Sequence, residues 1–448
     1  MSLALAVPAE TPCPKGSVNV QPAAHVWSFR ATAFVPGEAR HGWRCRQLCG
    51  ASLISAAYSR RARRKATTVP RKETATWPST DSCEVDFEVR QIPDVDQTAV
   101  ALILNRNAKG VTRAVEKRLT GIVGPERTFV CCCEEDAEVA LREMMADEKC
   151  KVVVCGGGDG TVASLLNLMA GLRREDPTVH APTLCVLRLG TGNALAYVTG
   201  AKKNFRDDLA RLVADLLARP QNVPEIPAGT LTLKAEGLPK SAPEHTDCFF
   251  AGLGYDARIL QDYMWLRDKT KDSRFLKWLL HNPLGYLVAL VTRTLPVTMR
   301  GQHVFHVKVT NTAAAAYRMD ARRGDWAIEY GKDKVIYEGD VGIVSIGTVP
   351  FYGGGFRLFP FAGVRPGYAH LRLSSIHPAV ATFNIRKLWN GSYRNHKSVH
   401  DFLVKDVMIE VDRPTPLHHS GDFMGTASKV RIQVNHDGQT RLVDFFGD

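Results

Sequence analysis

One carboxylate stands inside a run of glycines. Residues 151–169 read Lys-Val-Val-Val-Cys-Gly-Gly-Gly-Asp-Gly-Thr-Val-Ala-Ser-Leu-Leu-Asn-Leu-Met, with Asp159 between Gly158 and Gly160. A turn without side chains lets a ligand touch the backbone. The N–H groups where such a turn opens a helix favour phosphate. An acid beside a phosphate cradle repels the anion unless a metal ion or a reacting hydroxyl lies between them. Gly157, Gly158, Asp159, Gly160 and Thr161 therefore point to phosphoryl transfer. The blander use of Asp159 is to cap the helix that follows.

Two further loops change the balance between those readings. Leu189-Gly190-Thr191-Gly192-Asn193-Ala194-Leu195-Ala196 again joins a strand to a helix, with Asn193 placed to cap the helix or bond a phosphate. Leu104-Asn105-Arg106-Asn107-Ala108-Lys109-Gly110 follows the first strand. Asn105 and Asn107 there can bond an adenine or phosphate edge, or simply form a turn. No Gly-Lys-Ser/Thr follows the loop around Asp159, so it is not a Walker loop. Nor is it the dinucleotide fingerprint of spaced glycines, since no acidic residue stands at the expected distance after the next strand.

These three loops, in this order, resemble the diacylglycerol kinase catalytic family, which includes bacterial soluble lipid kinases and sphingosine and ceramide kinases. NAD kinases are more distant relatives. Gly157-Gly158-Asp159-Gly160-Thr161 matches the family signature residue for residue, and 190–193 matches the next. In the first loop Arg106 replaces the usual proline. After Asn193, Ala194 and Leu195 are similar to sphingosine kinases, where many diacylglycerol kinases carry Asp. Phe250-Ala251-Gly252-Leu253-Gly254-Tyr255-Asp256-Ala257 resembles the family's Gly-aromatic-Asp-Ala segment, which makes Asp256 a substrate-binding candidate. Tyr352-Gly353-Gly354-Gly355-Phe356 resembles a further glycine-rich segment.

One departure bears on catalysis. The family usually shows Asp-Gly-Glu near the C-terminus, tied to metal binding and to activation of the acceptor hydroxyl. Here the stretch is His418-His419-Ser420-Gly421-Asp422. Asp422 is a shorter substitute for the glutamate, whereas Ser420 cannot replace the first carboxylate. The same residues also suit a hairpin turn. His418 and His419, on opposite faces of a strand, read as ordinary surface histidines.

The elements that position these loops follow from periodicity. Residues 99–104, 152–155 and 183–189 are apolar runs of buried strands. Ala137, Ala140, Leu141, Met144 and Met145 mark an amphipathic helix, as do Val162, Leu165, Leu166 and Met169. A further helix is expected at Leu209, Leu212, Val213, Leu216 and Leu217, stopping at Pro220. Alternating strands and helices predict a doubly wound parallel sheet, whose ligands bind at the carboxyl ends of the strands. Beyond about residue 225 come short, often alternating apolar runs: 231–233, 248–251, 304–309, 341–346, 371–373, 407–411 and 430–434. They predict a mainly antiparallel β-sandwich. The expected division is a basic, disordered extension over 1–95, an α/β ATP-binding domain over 96–225, and a lipid-binding β domain over 226–448. The last strand is open to returning to the α/β domain.

Charge and composition set the class. The 448-residue chain carries +12, but residues 1–80 hold twelve Lys/Arg against three Asp/Glu, leaving +3 for 81–448. The basic charge is thus mainly a property of the leader, which argues against a nucleic-acid enzyme. Eleven cysteines without repeated spacing suit a reduced compartment. Cys45 and Cys49 near His41 lack a second pair for zinc. The apolar stretch 275–296 is interrupted by charges and Pro283, so it predicts a buried or interfacial helix rather than a membrane span.

The resemblance implies an ATP-dependent lipid kinase, most simply of diacylglycerol, with sphingoid bases and other lipids open. It implies ATP across the glycine loops at Asn105, Asn107, Gly157, Gly158, Gly160, Thr161, Gly190, Thr191, Gly192 and Asn193. Mg²⁺ would lie near Asp159 and Asp422, and both acids would serve catalysis. The implied setting is cytoplasmic, at a membrane surface, with no nucleic acid and a homodimer left open. A catalytically weak nucleotide- and lipid-binding module is the rival that Ser420 supports.

Overall fold

A computed structural model of the chain describes residues 99–201, 213–219 in part, 224–273 apart from 240–242, 244 and 271, and 288–299. It further describes 301–320 apart from 302, then 325–395, 397–435 and 440–445. All of these lie in one unit spanning 92–448. The leader with its Cys45 and Cys49, most of the helix expected over 209–217, and most of the apolar stretch 275–296 lie outside the described residues.

The first sheet is built from strands whose alternate residues enter two cores. They are β1 (Val100–Asn105), β2 (Thr128–Cys131), β3 (Val152–Gly157), β4 (Thr183–Arg188) and β5 (Glu225–Pro227). Ala101, Ile103, Val153 and Cys155 face one side, where they pack with α2 (Glu134–Ala146) and α3 (Asp159–Glu175). Val100, Leu102, Leu104, Val152 and Val154 face the other, against Leu119 and Val123 of α1 (Arg113–Val123). Val213 and Leu216, from the partly described helix, join this second core. A parallel sheet buried on both faces needs such continuously apolar strands. The five apolar positions expected for the second helix are the buried residues of α2. The helix after the first glycine loop begins at Asp159 itself, so the acid sits in its first turn.

The second body is a large antiparallel sheet of twelve strands. In chain order these are β6 (Thr230–Glu236), β7 (Thr246–Cys248), β8 (Phe250–Gly254), β9 (Phe305–Asn311), β10 (Ala315–Asp320) and β11 (Asp325–Gly331). They continue with β12 (Lys334–Val341), β13 (Ile343–Gly347), β14 (Ala369–Ser374), β15 (Val399–Val404), β16 (Asp406–His419) and β17 (Asp422–Asn435). Leu231, Leu253, Val307, Ile346, Leu371, Phe402 and Ile432 belong to one contiguous buried cluster, so the strands enclose a single interior. The long β16 organises it, pairing with β9 at one end, β8 at the other, and β17 throughout.

The chain then returns to the first sheet. Strand β18 (Arg441–Val443) lies between β4, with which it is parallel, and β5, with which it is antiparallel. The first sheet is therefore ordered β2-β1-β3-β4-β18-β5. No helix among the described residues is long and apolar enough to cross a membrane.

Candidate active site

Strands β1, β3 and β4 are neighbours, so the three loops at their carboxyl ends meet. Gly110 N donates to Leu189 O at 2.9 Å, tying the first loop to the third. A Cβ built on Gly190 would overlap Gly158 Cα, so the two glycine loops touch backbone to backbone. Asn105, at the end of β1, donates through Nδ2 to Thr161 Oγ1 at 2.8 Å, and its Oδ1 accepts from Asn107 N at 2.9 Å. Asn107 in turn donates to Cys132 O at 2.8 Å. The two asparagines thus hold the first loop and the start of α3.

Asp159 does cap a helix, but not its own. Its Oδ2 accepts from Ala194 N at 2.9 Å and its Oδ1 from Leu195 N at 3.1 Å. These are the first backbone donors of α4 (Ala194–Val198), the helix after the second glycine loop. Burial of Asp159 pushes its carboxyl above the ordinary carboxylate range, and those backbone N–H groups pull it back in part. Asn193 makes no side-chain cap to α4. It sits in the left-handed region at φ 53° and closes its own loop, accepting from Gly190 N at 2.8 Å and donating to Gly190 O at 2.7 Å. Gly192 is bare for a reason: a Cβ there would come within 2.8 Å of Asp159 Oδ2. Thr191, between Gly190 and Gly192, is exposed at the loop tip.

The second body reaches the same point. Ser420 and Gly421, at φ 45° and 90°, form the two-residue turn between β16 and β17. Both residues of such a turn need positive φ, and its twist matches that of paired strands. The turn sets Asp422 opposite His419 and directs its carboxylate at Gly160, where an added Cβ would strike Oδ2. Among the described residues the Asp422 carboxylate accepts no hydrogen bond. The residue reaches solvent, yet its carboxyl stands among protein atoms. That partial burial pushes it up from the usual range, and nearby His418 opposes the shift. Ser420 is 4% exposed, its N–H donates to Phe250 O at 2.8 Å, and its hydroxyl finds no partner among the described residues.

The expectation of two surface histidines fails at His418, which is fully buried. Its Nε2 lies 2.8 Å from Tyr352 Oη and 3.2 Å from Asp256 Oδ2. Ser345 donates to the same Asp256 oxygen at 3.0 Å. Gly252 makes room for this group, because a Cβ there would overlap Asp256 Oδ2 and stand 2.6 Å from His418 Nε2. Asp256 opens α5 (Tyr255–Thr270) directly after β8. His419 points the other way; burial pushes its imidazole down to about 4, and His418 adds to the shift. Ser345 carries no signal in the sequence; Tyr352 and His418 lie in segments singled out there, but nothing local shows that they meet Asp256.

A third contact comes from the turn after Tyr352. Gly354 N donates to Gly192 O at 2.6 Å, and a Cβ on Gly353 would lie 3.3 Å from Gly192 Cα. Bare backbone from both bodies, an unpaired carboxylate and a partly buried Asp–His–Tyr cluster thus converge at the carboxyl ends of β1, β3 and β4.

This arrangement defines a class: an α/β body whose glycine loops meet at the carboxyl ends of its strands, closed by a hairpin and a glycine turn from an antiparallel β body. Residues 100–223 match the family model of the diacylglycerol kinase catalytic domain. No curated protein matches the chain. Among solved structures, one designated a diacylglycerol kinase, from Bacillus anthracis str. Sterne, is 18% identical, with TM-score 0.48 over 78% of this chain and 97% of its own. A second from the same organism, described as a putative diacylglycerol kinase, is 20% identical, with TM-score 0.49 and the same coverage.

The donor set fits a magnesium nucleotide. The loops present bare backbone, and the Asp422 carboxylate stands beside them at Gly160. No group of three His, Cys, Asp or Glu side chains that could hold a metal occurs among the described residues. Mg²⁺ would therefore take most of its oxygens from the phosphates and water.

Proposed function

We propose that the protein is an ATP-dependent lipid kinase acting on a lipid hydroxyl, with diacylglycerol as the first acceptor to test. One observation carries the reading: the uncommitted carboxylate of Asp422 stands over the glycine turn at Gly160. Mg²⁺, held near Asp159 and Asp422, would supply charge neutralisation for transfer of the terminal phosphoryl group.

The chain's own residues do the rest. Gly157, Gly158, Gly160 and Thr161, with Gly190, Thr191 and Gly192, offer the phosphates backbone and hydroxyl groups. Asn105, Asn107 and Asn193 hold those loops in shape. Asp159 fixes the second glycine loop against the first, and would hold the metal through water or orient the acceptor. Asp422 would help hold the metal or accept the acceptor's proton. Asp256, set by His418, Tyr352 and Ser345, orients the acceptor hydroxyl. We assign residues 96–225 to the nucleotide and 226–448 to the lipid, with β18 completing the first sheet. A sphingoid base is the second acceptor to test.

The test is transfer of label from ATP to a lipid panel with Mg²⁺, beside Asp159→Asn and Ser420→Asp. Diacylglycerol is expected to accept label. Asp159→Asn should lose about 10²-fold or more, the scale of a misplaced catalytic constellation. Ser420→Asp should raise turnover by restoring a second carboxylate beside Asp422. ATP binding without transfer to any lipid would overturn the reading in favour of a binding module.

A further inference from the structure

Exposed apolar side chains gather in one stretch of the β body. Of ten exposed large hydrophobic residues among the described residues, four fall within 380–389: Val380, Phe383, Ile385 and Trp389. They belong to two short helices, α6 (Pro378–Phe383) and α7 (Ile385–Trp389). Phe383 is 89% exposed. Single exposed apolar residues are ordinary, whereas a cluster marks an interaction surface.

Charge identifies the partner. Arg386 and Lys387 are exposed within the same stretch, and among the described residues neither forms an ion pair. Residues 341–400 contain seven Lys/Arg and no Asp/Glu. Residues 81–448 as a whole hold 46 Lys/Arg and 43 Asp/Glu, so the rest of that body carries −4. Only Arg372 of the seven is both buried and paired, with Asp401. An acid-free basic stretch with protruding Phe, Ile and Trp side chains suits an anionic bilayer. The cations meet lipid phosphates, the aliphatic groups enter the acyl boundary, and Trp sits at the interface.

The patch is also joined to the site. The Trp389 ring stacks on Phe356 at 5.5 Å, and Trp389 O accepts from Arg357 N at 2.8 Å. Phe356 N donates to Gly353 O at 2.9 Å, and Gly354 reaches Gly192. We propose that Phe383, Ile385, Trp389, Arg386 and Lys387 dock the protein on an anionic lipid bilayer, beside the turn that closes the phosphate loops. Only the link between this docking and catalysis rests on the kinase reading.

The test uses the full chain and sedimentation with vesicles of phosphatidylcholine, with or without roughly a third phosphatidylserine. A Phe383→Asp/Ile385→Asp double variant should bind the anionic vesicles at least about tenfold more weakly, since two apolar groups no longer enter the bilayer. The loss should persist near 1 M salt, where the Debye length is about 3 Å and the basic leader's attraction is screened in both proteins. Arg386→Glu/Lys387→Glu should lose binding mainly at low salt. Melting of the Asp double variant should match the parent, because both side chains are exposed. Transfer to detergent-dispersed lipid should also be unchanged, while transfer to vesicle lipid falls with binding. Equal vesicle binding by parent and double variant overturns the proposal. So does a parent that ignores vesicles, or one that forms a dimer which the double variant breaks. Vesicle binding that depends on Phe383 and Ile385, in a protein that phosphorylates no dispersed lipid, would sink the kinase reading and leave the docking surface standing.

Discussion

Asp422 and Asp159 are both pushed upward by burial, but protein groups answer that cost differently. Backbone N–H groups of Ala194 and Leu195 satisfy Asp159, whereas Asp422 has only the nearby His418. A carboxyl raised in the folded state adds stability below its unfolded value of about 4 and loses that contribution as pH rises through its folded value. Asp422→Asn should therefore melt slightly higher than the parent at neutral pH, with the gain vanishing below about pH 4. The gain is small because the residue reaches solvent. The same variant should lose about 10²–10⁴ in transfer rate if Asp422 moves the acceptor's proton. Parent activity should rise with pH across the range just above ordinary carboxylate titration. A thermal gain that ignores pH, or transfer that survives the substitution, contradicts this account. The three loops and both acids were legible because each motif is local. The partner of Asp159 was not, as it lies 35 residues along the chain on another loop. Nor was the burial of His418, whose partner Asp256 is 162 residues away.

At the scale of the elements, two glycines separate shape from binding. A methyl on Gly190 meets the backbone of Gly158, which cannot swing aside. Gly190→Ala should cost about 1–3 kcal/mol of stability, as overpacking does, and should lose nucleotide binding with it. A methyl on Gly158 finds its nearest neighbour at 3.4 Å, and φ there is −105°, open to any residue. Gly158→Ala should keep its melting point within about 0.5 kcal/mol of the parent. On the proposed function it should nevertheless weaken MgATP, because the methyl would stand between the two glycine loops proposed to hold phosphate. Calorimetric titration beside a thermal melt distinguishes the two variants; equal stability with undiminished affinity in both would refute the cradle. The elements themselves were unequally legible. Helices α2 and α3 follow from their apolar spacing, and β1, β3 and β4 from continuous apolar runs. Strands β10 and β11 gave no comparable signal: of their described side chains only Ala316 is buried. The twelve-stranded order depends on β16 changing partners at a register shift between Glu410 and Thr415, which no local pattern announces.

Across the whole molecule, the final strand binds the first sheet to the second. The chain leaves the large sheet at β17 and enters the first as β18, where Leu442 pairs with Leu184 on one side and Ile226 on the other. Leu442 is fully buried, and Phe445 N donates to Thr199 O at 2.8 Å just beyond it. Without β18, β4 would present an open edge and the two faces of the sheet would lose a shared residue layer. Leu442→Ala should cost about 2–5 kcal/mol, the range for a deleted core leucine. Because the same chain end also anchors the β16–β17 hairpin that carries Asp422, the loss should not stay in the first sheet. Far-ultraviolet and near-ultraviolet melts of the variant should shift downward together as one transition, and transfer activity should disappear over the same temperatures. A variant in which the large sheet melts at the parent's temperature, while the first sheet unfolds separately below it, would show that the two bodies are stabilised independently.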